Sequence, residues 1–353
     1  MRAVDAVAGW LGSMASEQLD RAVIAGLGGL HVEQPPVLDL SPVDIDRFWQ
    51  ESRVADPSPV RVDRSWDCFE GAGWHELDLV GESAGPGSHP GSRRLNAVAH
   101  IGPNGAASPI VVVLHGYAVP FSGYDRWLAW RMRKRGVHTV RIELPFHLRR
   151  AVPHQHSGDH FFSLDPAYTR AVVRQCVEDT AAVMAWAQRE VTPAVRFLGT
   201  SLGGLVALLV TALLPVDHTL VAAPFCEPPV TFTEQRHGAM RRYTGMLGQA
   251  AGFWGRDRDS ARDALSEALA PIVPRRLQPV TSPDRVTVIE SLGDRIVGAP
   301  PMEELAAAWG CALWQYPHGH ITLMNARGLP TRIVEHLSAT ASAAAPGGLA
   351  LAG

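Results

Sequence analysis

A serine between small residues lies in the stretch Gly199-Thr200-Ser201-Leu202-Gly203. An apolar, strand-like run precedes this stretch and a helix-like run follows it. A tight turn between a strand and a helix needs small residues, which is one explanation of the pattern. The same kind of turn also holds a serine in a strained conformation that exposes its hydroxyl above the carboxyl edge of a sheet. We therefore interpret Ser201 as a candidate nucleophile.

A serine hydroxyl attacks an acyl group only when a neighbouring base takes its proton and an acid orients that base. Asp294 lies within "SLGDRIV", just after the apolar run "VTVIES". Two histidines, His318 and His320, lie within "HGHITL", just after "ALWQYP". Both runs are typical of strands, so each candidate follows the carboxyl end of a strand, at the edge that carries Ser201. The chemistry that this set indicates is acyl transfer by an activated serine.

The elements that must position these residues alternate between strand and helix from residue 109 to residue 340. The run "PIVVVLHG" is continuously apolar and β-branched, which is typical of a strand covered on both faces of a parallel sheet. Helical patterns follow at 124–136 and at 165–190, where Asp165 is a candidate N-cap before Pro166. This alternation predicts an α/β fold with a doubly wound, mostly parallel sheet.

The chain divides into three parts. Residues 1–60 are predicted to form a helical N-terminal extension, residues 61–340 the α/β domain, and residues 341–353 a frayed tail. A helical lid insertion is predicted at 227–280, where the alternation pauses. Its apolar side chains suit covering an acyl group, and equally the packing of short helices. The apolar residues at helical spacing in the extension are Val4, Val7, Leu11 and Met14.

The motifs "GTSLG", "GDRIV" and "HGHI", with "VVVLHGY" before them, resemble serine hydrolases of the α/β-hydrolase superfamily, of the esterase and lipase type. The resemblance covers residues 66–340 at the level of element order. It implies the α/β-hydrolase fold and a catalytic triad of Ser201, Asp294 and His320, in a chain order that this fold uses. The family pattern places the histidine after a glycine and before an apolar residue, so His318 becomes a neighbour that shapes the pocket.

The resemblance also implies roles for the turn "HGY". The backbone N–H groups of Tyr117 and Leu202 would stabilise the oxyanion of a tetrahedral intermediate. His115 would be structural, with its ring hydrogen-bonded to backbone groups so that the turn through Gly116 keeps its shape.

The segment "PFHLRRAVPHQHSGDHFF", residues 145–162, contains four histidines and Asp159. Imidazole and carboxylate groups suit zinc or nickel, but the irregular spacing favours a pocket lining, to which His147 would belong, and we predict no metal site. Arg149 and Arg150 are open to two interpretations: contact with an anionic group of a substrate, or pairing with nearby acids.

Composition narrows the function further. The formal net charge of −3 supplies no basic field that would attract nucleic acid. Four cysteines lie far apart without a CxxC pair, which favours reduced thiols in a cytoplasmic protein over a disulfide framework or a zinc site. The longest apolar run, residues 203–216, is too short to span a bilayer and suits a buried helix.

The expected function is therefore cleavage of a carboxylic ester, or a related acyl bond, in a small-molecule substrate through an acyl-enzyme intermediate, without a cofactor. Thioesterase, lactonase and peptidase activities on the same three residues stay open, as does a non-catalytic scaffold, although an intact triad argues against the scaffold. For the N-terminal extension, packing on the domain is favoured over membrane contact, and a role in homo-oligomer contacts is open.

Overall fold

The computed structural model of the 353-residue chain describes residues 19–20, 39–68, 73–86, 90–163, 165–234 and 258–339. Three predicted features fall wholly or partly outside these residues: the amphipathic helix at 4–14, the middle of the lid at 235–257, and the C-terminal tail.

The described strands form one nine-stranded mixed sheet. In chain order they are β1 (Val60–Asp67), β2 (His75–Glu82), β3 (Arg94–Ile101), β4 (Ile110–Leu114), β5 (His138–Glu143), β6 (Val195–Thr200), β7 (His218–Ala222), β8 (Val286–Ser291) and β9 (Ala312–Tyr316). Their spatial order is β1-β2-β3-β5-β4-β6-β7-β8-β9. Strands β1 to β3 pair antiparallel and join β5 antiparallel, whereas β4 to β9 run parallel to one another.

Helices connect the parallel strands. The described ones are α1 (Ile45–Gln50), α2 (Gly123–Arg133), α3 (Pro166–Glu190), α4 (Leu202–Leu213), α5 (Pro228–Glu234), α6 (Arg258–Ala268), α7 (Pro300–Trp309) and α8 (Leu329–Ser338). The connections place the carboxyl ends of all the parallel strands at one edge of the sheet.

Strand β4 shows how the core divides between the two faces of the sheet. Val111 and Val113 pack in a cluster with apolar residues of α2 and α8, whereas Ile110, Val112 and Leu114 pack with α3 and α4 on the other face. Each of these five side chains is buried. A strand covered on both faces needs apolar residues at every position, which explains the unbroken β-branched run. The predicted doubly wound, mostly parallel sheet is confirmed.

Strand β1 is not among the strands that the sequence patterns predict, and it begins at Val60, the last residue of the predicted helical extension. Val60 is its one buried residue, and the other seven positions are exposed. An edge strand with mostly exposed side chains needs no buried apolar face, so its sequence gives a weak strand signal.

The apolar run at 203–216 forms most of α4, and the side chains of this helix are buried from Leu202 to Ala212. Within the described parts of the chain, no helix is long and apolar enough to cross a bilayer.

Candidate active site

Ser201 lies at the sharp turn between β6 and α4. Its backbone has φ 52° and ψ −113°, in the positive-φ region that a residue with a side chain adopts only under strain. The surrounding main chain holds this conformation: Ser201 N–H donates to the Ala222 carbonyl at 2.9 Å, and the Ser201 carbonyl accepts from Phe225 N–H at 2.9 Å. The serine is thus presented at the carboxyl edge of the sheet.

Two glycines make this turn sterically accessible. A Cβ atom on Gly199 would lie 2.4 Å from the carbonyl oxygen of Gly203, and one on Gly203 would lie 2.2 Å from the carbonyl oxygen of Leu114. Both distances are far shorter than any real carbon contact, so neither position accepts a larger residue without moving the helix. The two glycines of "GTSLG" therefore agree with both explanations of the motif: they permit the tight turn, and the turn exposes the serine.

The structure brings Ser201, His320 and Asp294 together from three separate strand ends. His320 Nε2 lies 3.0 Å from Ser201 Oγ, and His320 Nδ1 lies 2.6 Å from Asp294 Oδ2. A carboxylate only accepts, so Nδ1–H donates to Asp294 and Nε2 is left to accept the serine proton. The side chains of Asp294 and His320 are 0% and 7% exposed.

Asp294 is itself held by the turn that follows β8. Its Oδ1 accepts the backbone N–H groups of Ile296 at 2.8 Å and Val297 at 2.9 Å. These bonds leave Oδ2 facing the imidazole, so the carboxylate has a fixed orientation toward His320.

The charges around His320 change its proton affinity. Burial acts to lower the pKa of the imidazole, but the charge and hydrogen bond of Asp294, with a smaller contribution from Asp20, raise the pKa above its ordinary value. The site therefore favours the imidazolium form that a general base becomes when it takes a proton.

His318 occupies the same loop but a different place in the network. Its carbonyl accepts Gly293 N–H at 2.8 Å and Ser291 Oγ–H at 2.5 Å. These contacts join the loop after β9 (residues 317–322, the β9 loop) to the loop after β8 (residues 292–299, the β8 loop). Of the two histidines considered as the base, it is thus His320 whose ring contacts the serine.

The turn after β4 lies beside the serine. A Cβ atom built on Gly116 would be 3.6 Å from the Cβ of Ser201, and Tyr117 is the next residue in the chain. Leu202 begins α4, and the N–H groups of a first helical turn have no acceptor within the helix. Of the two residues expected to supply oxyanion donors, Leu202 therefore follows the serine in the chain, and Tyr117 follows a glycine that lies beside the serine in space.

His115 and His147 support this turn as buried imidazoles. His115 Nε2 accepts Leu144 N–H at 3.1 Å and its Nδ1–H donates to the Gly116 carbonyl at 2.8 Å, which ties the turn to the end of β5. Burial lowers the pKa of His115 to about 4 and that of His147 well below its ordinary value. The His147 ring lies 5.1 Å from that of His115 and 5.6 Å from that of Tyr117.

A row of aromatic side chains in mutual contact lies next to the serine turn. The ring centroids of Tyr117 and Phe162 are 4.9 Å apart, those of Phe162 and Phe225 5.8 Å, and those of Phe225 and Phe232 5.5 Å. Phe232 belongs to the described part of the predicted lid, in α5, and is buried. This part of the insertion thus packs onto the aromatic side chains next to Ser201.

Arg149 and Arg150 pair with protein acids. Arg149 Nε donates to Glu143 at 2.8 Å. The fully buried Arg150 donates to Asp179 at 2.8 Å and to oxygen atoms of Glu143, Ser83 and Ser92. Of the two interpretations left open for this pair, the structure favours internal pairing over contact with a substrate.

The histidines of 145–162 do not form the metal-type cluster that was considered for this segment. Among the described residues, one group has its possible metal-ligand atoms within 4.8 Å of one another: Cys68 directly after β1, Glu76 of β2 and His100 of β3.

Asp20 is a site residue that sequence reasoning missed. Its carboxylate is buried and accepts the backbone N–H groups of His320 at 2.7 Å, Ile321 at 2.9 Å and Arg295 at 3.2 Å. In the sequence it is one of several acids in an amphipathic segment, and nothing in its spacing links it to residues 275 to 301 positions away.

Solved structures of esterases are similar to this chain. Acetyl xylan esterase 1 from a Thermoanaerobacterium species has a TM-score of 0.64 and 18% sequence identity, over 89% of this chain and 98% of that chain. For an acetyl xylan esterase from a Paenibacillus species the TM-score is 0.60 and the identity 16%, over 86% of this chain and 96% of that one. A puromycin-hydrolyzing peptidase of Mycobacterium tuberculosis has a TM-score of 0.52 and 18% identity, over 74% of this chain and 39% of that one.

No protein-family model and no curated protein sequence matches the chain. The structural likeness nevertheless agrees with the strand order and with the helices on both faces of the sheet. The chain has the α/β-hydrolase fold.

Proposed function

We propose that this protein hydrolyses carboxylic esters through a catalytic triad of Ser201, His320 and Asp294. The observation that carries the proposal is the continuous contact from Ser201 Oγ to His320 Nε2 at 3.0 Å and from His320 Nδ1 to Asp294 at 2.6 Å. These contacts connect nucleophile, base and orienting acid in the geometry that acyl transfer requires. The fold similarity to esterases adds to it.

In the first half-reaction, Ser201 Oγ attacks the carbonyl carbon of the ester while His320 Nε2 takes the serine proton. The backbone N–H groups of Tyr117 and Leu202 donate to the oxyanion of the tetrahedral intermediate. Its collapse breaks the bond to the alcohol oxygen, which receives the proton from His320, and leaves the acyl group on Ser201.

In the second half-reaction, water replaces the alcohol. His320 takes a proton from the water as its oxygen attacks the acyl carbon, and the same proton then returns to Ser201 as the carboxylic acid leaves. Asp294 holds the imidazole in the required tautomer and stabilises its charged form in both steps. The protein supplies every group that this sequence of steps uses, so no cofactor enters it.

The packed aromatic side chains beside the serine turn favour small acyl groups. Phe225 donates its N–H to the Ser201 carbonyl at 2.9 Å, and its ring already contacts Phe162 and Phe232. We therefore expect acetyl esters to be cleaved faster than octanoyl esters. Arg149 and Arg150, the two residues considered as an anchor for a peptide carboxylate, pair with protein acids, which counts against a peptidase.

The decisive variant is Ser201→Ala, with Ser108→Ala as its matched control, since Ser108 precedes β4 at the opposite edge of the sheet. The first should lower kcat for p-nitrophenyl acetate by at least about 1,000-fold and abolish covalent labelling by a fluorophosphonate, because both reactions need the hydroxyl. The control should keep both properties.

Acyl thioesters, lactones and aminoacyl amides in the same assay rank the alternative activities. A wild-type protein that neither cleaves these substrates nor reacts with the fluorophosphonate is a non-catalytic scaffold, and the proposal then fails.

A further inference from the structure

Asp20 connects the N-terminal part of the chain to both loops that carry the His–Asp pair. Its Oδ2 accepts Arg295 N–H of the β8 loop at 3.2 Å and His320 N–H of the β9 loop at 2.7 Å. Its Oδ1 accepts the N–H of Ile321 at 2.9 Å. One carboxylate therefore satisfies three backbone donors from two loops, and two of these donors belong to His320 or to the residue next to Asp294.

Besides the side-chain contact of His320 with Asp294, backbone hydrogen bonds join the two loops at residues that precede His320. Leu292 N–H donates to the Tyr316 carbonyl at 3.0 Å, and Gly293 N–H donates to the His318 carbonyl at 2.8 Å. These bonds continue the β8–β9 pairing and end before His320. Asp20 binds the backbone of His320 itself, beyond the last of these backbone pairs.

Burial of the Asp20 carboxylate costs free energy unless hydrogen-bond donors surround it. The Asp20 side chain is fully buried, and a carboxylate in such a place is stable only with several donors around it. Burial raises the pKa of Asp20 and the charge of Asp294 adds to this effect, whereas the three N–H groups oppose it. Removal of the carboxylate would in turn leave the N–H groups of Arg295, His320 and Ile321 without this acceptor.

We propose that Asp20 is a positioning residue, whose carboxylate joins the β8 and β9 loops and so holds His320 between Asp294 and Ser201. The proposal rests on the proposed function of that site. It assigns Asp20, a residue of the N-terminal extension, a part in catalysis through its hydrogen bonds to backbone N–H groups of the two loops.

The charge of Asp20 has a second consequence for the same imidazole. The charged groups that act on His320 are the carboxylates of Asp294 and Asp20, and both raise the pKa of the ring. Loss of the Asp20 charge should therefore lower the pKa of His320, whereas a purely structural loss elsewhere in the extension should leave that pKa unchanged.

The test compares Asp20→Ala and Asp20→Asn with Asp44→Asn in the full-length protein. Asp44 is an exposed carboxylate of the extension that accepts Arg47 N–H at 2.8 Å. It is thus, like Asp20, an aspartate that accepts a backbone N–H, but its donor belongs to neither of the two loops. We expect Asp20→Ala to lower kcat for p-nitrophenyl acetate by about 100-fold with KM changed less than about threefold, because a misplaced base slows the chemical step rather than binding.

Asp20→Asn keeps one oxygen acceptor and loses the charge, so its kcat should fall between those of wild type and Asp20→Ala. The acidic limb of its kcat/KM profile should move to lower pH. Asp44→Asn should match wild type in all these quantities. Thermal unfolding of each variant shows whether the fold is retained, and Asp20→Asn decides the question if Asp20→Ala does not fold.

An NMR titration of His320 in a Ser201→Ala background gives a readout that needs no activity. Addition of Asp20→Asn should lower the pKa of His320, and addition of Asp44→Asn should not. Unchanged kcat and an unchanged His320 titration in Asp20→Asn would overturn the proposal. A wild-type protein without hydrolase activity would instead refute the proposed function, and the titration would still decide whether Asp20 acts on His320.

Discussion

Two histidine–carboxylate pairs lie in different regions of this molecule with almost the same geometry. At the carboxyl edge of the parallel strands, His320 lies 2.6 Å from Asp294. On the antiparallel part of the sheet, His100 of β3 lies 2.7 Å from Glu76 of β2. Both imidazoles are buried, with side chains 7% and 6% exposed. The distance between the partners and the burial of the imidazole therefore do not distinguish the two pairs.

The surrounding charges do distinguish them. Burial lowers the pKa of His100 to about 3, and the guanidinium groups of Arg133, Arg141 and Arg126 act in the same direction. The pKa of His320 is raised despite burial, because Asp294 and Asp20 are both anionic. One imidazole is thus kept neutral at every ordinary pH, whereas the other is set up to take a proton.

The second ring nitrogen differs as well. His320 Nε2 contacts Ser201 Oγ at 3.0 Å, whereas His100 Nδ1 has no hydrogen-bond partner among the described residues. His100 borders a cavity of ≈ 370 Å³, lined by three tryptophans and by the same three arginines. These positive charges also disfavour a cation between His100, Glu76 and Cys68, although their ligand atoms lie close together. Two similar histidine–carboxylate contacts thus differ in whether a serine hydroxyl lies at the second ring nitrogen and in the sign of the surrounding charge.

The largest expected difference between the two pairs is in catalysis. Asp294→Asn should lower kcat for p-nitrophenyl acetate by about 10⁴-fold, because an amide at this position favours the wrong imidazole tautomer. Glu76→Gln changes the equivalent atom of the other pair and should alter kcat by less than about twofold. Steady-state kinetics of both variants, with circular dichroism to verify folding, checks this. Equal losses in the two variants would remove the distinction.

The pH dependence of activity sharpens the comparison further. His320 must be neutral to act as the base, and its pKa lies above the ordinary 6.5, so kcat/KM should fall by about tenfold per pH unit below a midpoint that lies above 6.5. A pH–rate profile measures that midpoint. The Glu76→Gln variant should give the same profile. A wild-type midpoint at or below 6.5 would contradict the electrostatic account of His320.

The smallest expected effect concerns acid stability at the other pair. The folded-state pKa of His100 is about 3 against 6.5 in the unfolded chain, so the unfolded state takes up the proton first and stability falls as pH drops from 6.5 toward 3. His100→Gln retains a donor for Glu76 and does not titrate. Relative to this variant, the wild type should lose about 2 kcal/mol of unfolding free energy between pH 7 and pH 5.

Urea unfolding at the two pH values measures that difference. Parallel losses of stability in wild type and His100→Gln would show that His100 takes up its proton equally well in the folded and unfolded states, which would contradict the lowered pKa of His100.

Local patterns in the sequence predicted most of the fold. The five apolar residues of β4 indicate a strand covered on both faces, and Asp165 caps α3 by accepting Ala167 N–H at 2.8 Å. Such patterns can be found in the sequence because the spacing of apolar residues reflects which faces of an element are buried, and capping residues mark its ends. Strand β1 was missed for the same reason: seven of its eight residues are exposed, so packing leaves no mark on them.

The amino-acid sequence by itself determined that a serine, an aspartate and a histidine each follow a parallel strand. It also determined that they lie at the same edge of the sheet, because the carboxyl ends of parallel strands share one edge. Only the tertiary structure decided that Arg149 and Arg150 form ion pairs with acids of the same chain. It also decided that Asp20 accepts hydrogen bonds from the loops of Asp294 and His320. A carboxylate and its backbone donors need no common spacing in the chain. Their contact exists only once folding has brought distant segments into one buried volume.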